Sequence, residues 1–190
     1  EVSPCGRKEE EVGARSAAQI AACPAESGPH PRGGGAGAGP HNQPPSGHQV
    51  EPTRRKNDVV FIPVGCSELH GQHTVSAADT LFVSAIVEGV RRYTAKSGAP
   101  VNLALPPLMY GAHPYHHLGM PGTVVVPEEI FCGLLKSIMA GLWNMGFRKM
   151  ILLNGHGQEY VIPTAIHQFG KTYQVPAVII NLNWYHAVQD

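Results

Sequence analysis

From Val59 onward, short apolar runs alternate with longer stretches whose apolar residues recur at helical spacing. The first run, VVFIPV from Val59 to Val64, is continuous, as expected of a strand buried on both faces. Behind it, Leu81, Ala85, Ile86, Val90 and Tyr93 share one face of a helix predicted from about Thr80 to Ser97, and Gly98 marks its end. VNLALPPLMYG predicts a second strand with Pro106 and Pro107 near its exit. Pro127, followed by Glu128 and Glu129, predicts the start of a second helix, which Gly146 stops. KMILLNGHG predicts a third strand and its loop, Glu159 to Tyr173 a third helix, and VPAVIINLNWY a fourth strand.

Strands alternating with helices predict an α/β fold: a mainly parallel sheet with helices on both faces. Ligands of such sheets bind beyond the carboxyl ends of the strands. Each predicted strand here delivers polar, chemically capable residues to that rim. Glu68, His70 and His73 follow the first strand, and His113, His116 and His117 the second. Asn154, His156 and Glu159 follow the third, and Asn183, Trp184 and His186 the fourth.

Composition separates the chain into two parts. Residues 1–57 lack Leu, Met, Phe, Tyr and Trp, hold one Ile, and are rich in Gly, Pro, Ser and Arg. Such a segment buries too little apolar surface to offset its ordering entropy. It is expected to be disordered or a non-native extension, with its histidines His30, His41 and His48 solvated. Residues 58–190 are expected to form the domain. Fourteen basic and fourteen acidic residues balance, which argues against nucleic acid or an anionic membrane surface as a partner. No apolar run reaches the roughly 18 residues of a membrane span. The four cysteines show no CxxC spacing, as in a reducing, cytoplasmic setting.

The rim residues carry the chemistry. Glu68 and His70 stand two apart and point the same way in an extended loop, so they suit one metal or two neighbouring ones, or an ordinary surface pair. Asp79 fits the N-cap of the first helix as well as it fits a ligand. His156 stands between Gly155 and Gly157 at the mouth of the sheet, which tilts it towards function. His113, His116 and His117 lie on a long glycine-rich loop and suit ligation, acid–base work or substrate contact. Cys66 reads as a small buried residue more readily than as a nucleophile or ligand.

These residues fall into three ordered motifs. They are Gly65-Cys66-Ser67-Glu68-Leu69-His70-Gly71-Gln72-His73 with Asp79 behind it, His117-Leu118-Gly119-Met120-Pro121-Gly122-Thr123, and Asn154-Gly155-His156-Gly157. Together they resemble the signatures of the creatininase (creatinine amidohydrolase) family, over about Asp58 to the C-terminus. The resemblance implies a three-layer α/β/α sandwich and one or two divalent ions, zinc or manganese. By motif position, Glu68, Asp79 and His156 would hold one ion, and His70 and Asp79 a second. Where creatininase completes the second ion with a glutamate, this chain has Gln158, with Glu159 one further on. Many relatives use a later acidic motif instead; this chain is expected to be truncated before it.

NGHGQEYVIPTAIHQF is similar to the inositol-catabolic branch of the family, the 3-dehydro-scyllo-inosose hydrolases. That likeness implies hydrolysis of a ring C–C bond in a diketo-inositol. The alternatives are a cyclic amide substrate of the creatinine type, or an inactive metal-binding fragment. In either reaction the metal would make a water acidic enough to attack a ring carbonyl. His117 or Glu159 would shuttle the proton, and His73 would orient the ligands. A small cyclic molecule is the implied partner, and a homo-oligomer the implied assembly of a complete protein.

Overall fold

The computed structural model describes residues 47–99 and 102–188; the expectation for residues 1–46 lies outside the described residues. Four strands form one parallel sheet: β1 (Val59–Val64), β2 (Leu103–Ala104), β3 (Lys149–Asn154) and β4 (Val178–Asn183), in spatial order β2-β1-β3-β4. The helices are α1 (Gly47–Lys56), α2 (Ala78–Lys96), α3 (Glu128–Asn144) and α4 (Val161–Tyr173).

Side-chain alternation along β1 sorts the core into two layers. Val60, Ile62 and Val64 turn to one face and pack with Phe131, Leu135 and Met139 of α3 and Ile162 and Phe169 of α4. Phe61 turns to the other and packs with Val83 and Val87 of α2 and Leu153 of β3. One helix therefore covers one face and two cover the other, which is the expected α/β/α sandwich. β1 and β3 pair over their full length, Val59 to Lys149 through Val64 to Asn154, so their carboxyl ends are level. The chain leaves β1 for β2 on one side and returns past it to β3 on the other. The crevice beyond β1 and β3 is the topological switch point, where open α/β sheets bind ligands.

Several elements differ from expectation. β2 shrinks to two residues, because Pro106 and Pro107 cannot donate ladder hydrogen bonds; an isolated bridge from Val64 to Leu108 continues the contact. α4 starts at Val161 rather than Glu159. Residues 47–56, expected to lack structure, form α1. An i,i+4 ion pair from Arg55 to Glu51 at 2.8 Å supports that helix, and Val50 packs against the core. On the α2 side of β4, Val178, Ile180 and Leu182 are exposed. Among the described residues, no helix is long and apolar enough to cross a membrane.

Candidate metal centre

Two glycines let α2 start inside the crevice. A Cβ on Gly65, just past β1, would lie 2.5 Å from the Thr80 Cα; one on Gly155, just past β3, would lie 2.7 Å from the Asp79 carbonyl oxygen. No larger residue leaves room for the first turn of α2 across both strand ends. Neither glycine adopts a positive φ, so close approach rather than a left-handed turn explains them. α2 begins at Ala78, and its N-cap position, Ala77, makes no side-chain cap bond. Asp79 is therefore not a cap. Its carboxylate is buried and turns into the crevice.

Asn154 folds the third-motif loop. Its side-chain amide donates to the His156 carbonyl at 2.7 Å, and its Oδ1 accepts from the His156 N–H at 3.2 Å. His156 Nδ1 then lies 3.1 Å from Asp79 Oδ2 and 3.2 Å from Glu68 Oε1. His70 Nε2 lies 3.3 Å from Glu68 Oε1 and 3.3 Å from Asp79 Oδ1. The second-motif loop adds its imidazoles: His117 Nδ1 is 3.1 Å and His113 Nδ1 3.5 Å from Glu68 Oε2. Thr123 ties that loop down, its hydroxyl accepting from the Leu69 N–H at 2.9 Å. The Glu68 carboxylate is thus ringed by four imidazoles.

Two sets of donor atoms lie within 4.8 Å of one another: Glu68, His70 and Asp79, and Cys66, Glu68, His113 and His156. His113 and His156 are each at most 5% exposed, yet Nε2 of both lacks a hydrogen-bond partner. Buried imidazole nitrogens without partners are uncommon unless an ion or water completes them. Carboxylate and imidazole donors are the chemistry that zinc and manganese accept. The residues present therefore fit a divalent cation.

Electrostatics run in the same direction. Burial pushes the His156 imidazole down, but its hydrogen bonds to Asp79 and Glu68 and their charges outweigh that and lift it to about 9. Burial pushes the Asp79 carboxyl up, but hydrogen bonds from His156 and Cys66, with the His156 and His70 charges, hold it below its ordinary value. His113 is pushed down by burial and then by the His156 charge, which keeps it neutral and able to donate a lone pair. Burial, then the Asp79 hydrogen bond, push the Cys66 thiol up.

Other sequence-predicted residues lie outside this ring. His73 is exposed and belongs to neither donor set. Glu159 is exposed at the rim, where it accepts a hydrogen bond from the Tyr185 hydroxyl and lies 3.3 Å from His186 Nε2. Gln158 is fully buried and faces inward. Its Oε1 accepts from the Ala112 N–H at 3.1 Å, and its Nε2 donates to the Gly65 carbonyl at 3.3 Å and to Asn154 Oδ1 at 3.2 Å. It braces three loops. Sequence reasoning left His113 undecided among three histidines and weighed Cys66 towards a packing role. The signal that could have raised both was position: one residue past Gly65, and two past Gly111 at the exit after β2.

The family model for creatininase, described as creatinine amidohydrolase, matches residues 46–189. The chain belongs to the creatininase family. It is 54% identical over 142 residues to the 3-dehydro-scyllo-inosose hydrolase of Thermotoga maritima, covering 75% of this chain and 44% of that protein. It is 31% identical over 102 residues to the creatinine amidohydrolase of Pseudomonas putida, covering 52% of this chain and 37% of that protein. A crystal structure of creatinine amidohydrolase superposes with a TM-score of 0.67 at 25% identity, over 76% of this chain and 57% of that one. The chain thus spans less than half the length of the curated relatives it matches.

Proposed function

We propose that this creatininase-family chain carries the metal centre of a hydrolase that opens a cyclic substrate, a diketo-inositol such as 3-dehydro-scyllo-inosose, by C–C hydrolysis. One observation carries the reading: at the switch point His156 Nδ1 lies within hydrogen-bonding distance of both the Glu68 and the Asp79 carboxylates. The 54% identity to the Thermotoga maritima hydrolase favours the diketo-inositol over a cyclic amide. Glu68, Asp79 and His156 would hold one ion, and His70 with Asp79 a second. A solved form of creatininase is described as Zn-Zn type, which supports zinc and two ions.

A divalent ion at this place supplies Lewis acidity toward a ring carbonyl and lowers the pKa of water. The rest falls to the chain. Hydrolysis adds the hydroxyl of water to the carbonyl carbon, breaks the ring bond to the neighbouring carbon, and returns the proton to that carbon. His117 is placed for the transfer: its Nδ1 faces Glu68 Oε2 at 3.1 Å, and it is only partly buried, at the open side of the ring. In this reading Glu159 acts from the rim with Tyr185 and His186, while His73, exposed and outside the ring, is at most an orienting group. Cys66 and Cys132 are free thiols, which supports a reducing compartment such as the cytoplasm.

The test is an assay of the zinc- or manganese-loaded chain with 3-dehydro-scyllo-inosose and with creatinine, following ring opening by the mass gain of one water. Ring opening of the diketo-inositol, lost in His156→Ala, is expected. Turnover of creatinine alone would favour the cyclic amide reading. Metal bound tightly with neither substrate opened would contradict hydrolysis by this chain.

A further inference from the structure

Cys66 lies against the metal centre without being needed by the reading above. It follows Gly65 at the end of β1, is fully buried, and its Sγ donates to Asp79 Oδ2 at 3.1 Å. The Thr80 hydroxyl donates to the Cys66 carbonyl at 3.0 Å and pins the residue to the first turn of α2. Its donor atom lies within 4.8 Å of donor atoms of Glu68, His113 and His156. His113 is the independent sign that something is held here. It is 5% exposed, its Nδ1 faces Glu68 Oε2 at 3.5 Å and His117 Nδ1 at 3.3 Å, its Nε2 has no hydrogen-bond partner, and its ring centre is 4.4 Å from that of His156.

We propose that Cys66 and His113 are metal ligands in this chain, so that Cys66, Glu68, His113 and His156 form a mixed sulfur, oxygen and nitrogen site selective for zinc over manganese. The proposal rests on the metal reading but gives the first ion Cys66 and His113 in place of Asp79, which stays with His70 and Glu68 at the second. A thiolate and a carboxylate bring two negative charges and two neutral imidazoles none, so a divalent cation is neutralised in a buried place, where net charge is costly. Tetrahedral zinc with bonds of about 2.0–2.3 Å spaces its donors roughly 3.3–3.8 Å apart. Sulfur favours zinc, whereas manganese prefers oxygen donors. As the sulfur–metal bond forms, the thiol proton leaves to solvent and Asp79 is freed for its own ion with Glu68 and His70.

The experiment uses cobalt(II) as a spectroscopic stand-in for zinc, in the full chain. Thiolate ligation gives a sulfur-to-cobalt charge-transfer band in the near ultraviolet, which oxygen and nitrogen donors do not. The band is expected in the parent chain and in a Cys5→Ser/Cys23→Ser double variant; Cys132 is remote, facing the Val161 carbonyl in the core. Cys66→Ser is expected to lose the band and to bind zinc at least about tenfold more weakly, as even loss of a group that only orients a ligand costs that much. Manganese affinity should stay within about threefold. His113→Ala should keep the band and lose about tenfold in zinc affinity. Should Cys66→Ser fail to fold, the band in the double variant still decides. Cobalt bound without the band, or a band that survives Cys66→Ser, overturns the proposal and leaves the metal centre standing. No cobalt bound at all overturns both.

Discussion

Two glutamates flanked by histidines, one inside the crevice and one at its rim, differ in almost every respect that matters for chemistry. Glu68, past β1, is 12% exposed and faced by His70, His113, His117 and His156. Glu159, past β3, is 46% exposed and faced by Tyr185 and His186. Both follow a strand of the same sheet, and in sequence both read as acids beside a histidine. Position in the sheet separates them. β1 and β3 end level at the switch point with α2 starting across them, so Gly65, Cys66, Gly155, His156 and Gln158 are buried just past those strands and Glu68 is half-buried. Glu159 lies five places past Asn154, beyond the Gln158 brace, and escapes to the rim. Burial concentrates the field between Glu68, Asp79 and His156, while solvent screens Glu159. Burial and the Glu159 bond, with a smaller contribution from Asp79, push the Tyr185 phenol up, so the rim still feels the inner charge.

The sharpest way to break this contrast is to remove the inner acid. On the proposed reading Glu68 is a ligand, so Glu68→Gln should lower metal-dependent turnover at least about a hundredfold, more than loss of a group that only orients a ligand; steady-state kinetics at saturating metal reads this. Next comes the close approach that builds the inner site. Gly65→Ala forces a methyl to 2.5 Å from the Thr80 Cα and should cost about 3 kcal/mol, as overpacking does. Denaturant unfolding should show a lower midpoint with an unchanged m-value.

The pH dependence sharpens the contrast further. His156 is lifted to about 9, so its contribution to the stability of the metal-free chain is fully present below its unfolded value of ~6.5 and is lost as pH rises through about 9. Asp79 is held low, so its contribution is present above ~3.9 and is lost as pH falls through its folded value. As far as this pair is concerned, the metal-free chain should be most stable at roughly pH 4–6.5. If His156 is a ligand as proposed, the metal displaces its proton, and that proton's share of the rise of zinc affinity with pH should end at about 9. Calorimetric titrations in buffers of different ionisation enthalpy count the released protons. The smallest effect belongs to the rim: Glu159→Gln should change metal affinity by less than about fivefold, equivalent to the ~1 kcal/mol ceiling of an exposed pair.

Much of this was legible in the chain. The continuous apolar character of VVFIPV and MILL marked β1 and β3 as strands covered on both faces, and their exits as the site. What stayed hidden were matters of spacing in three dimensions. Asp79 could be a cap or a ligand until Gly65 and Gly155 proved to admit the helix start between them. Gln158 and Glu159 are neighbours in sequence but point to opposite environments, inward and outward, which no local pattern specifies. His113 depended on where a loop with little regular structure would land, held by Gln158 through the Ala112 N–H. α1 was missed because its support is an ion pair and one valine rather than an apolar face.

Calorimetric titration of zinc into two variants, His156→Ala and His186→Ala, weighs the inner against the outer histidine in one measurement. The inner substitution should reduce zinc affinity at least about a hundredfold, more than the loss of a group that only orients a ligand, while the outer one leaves it within about fivefold. Equal losses, or no loss in His156→Ala, would contradict a metal centre at the β1 and β3 exits.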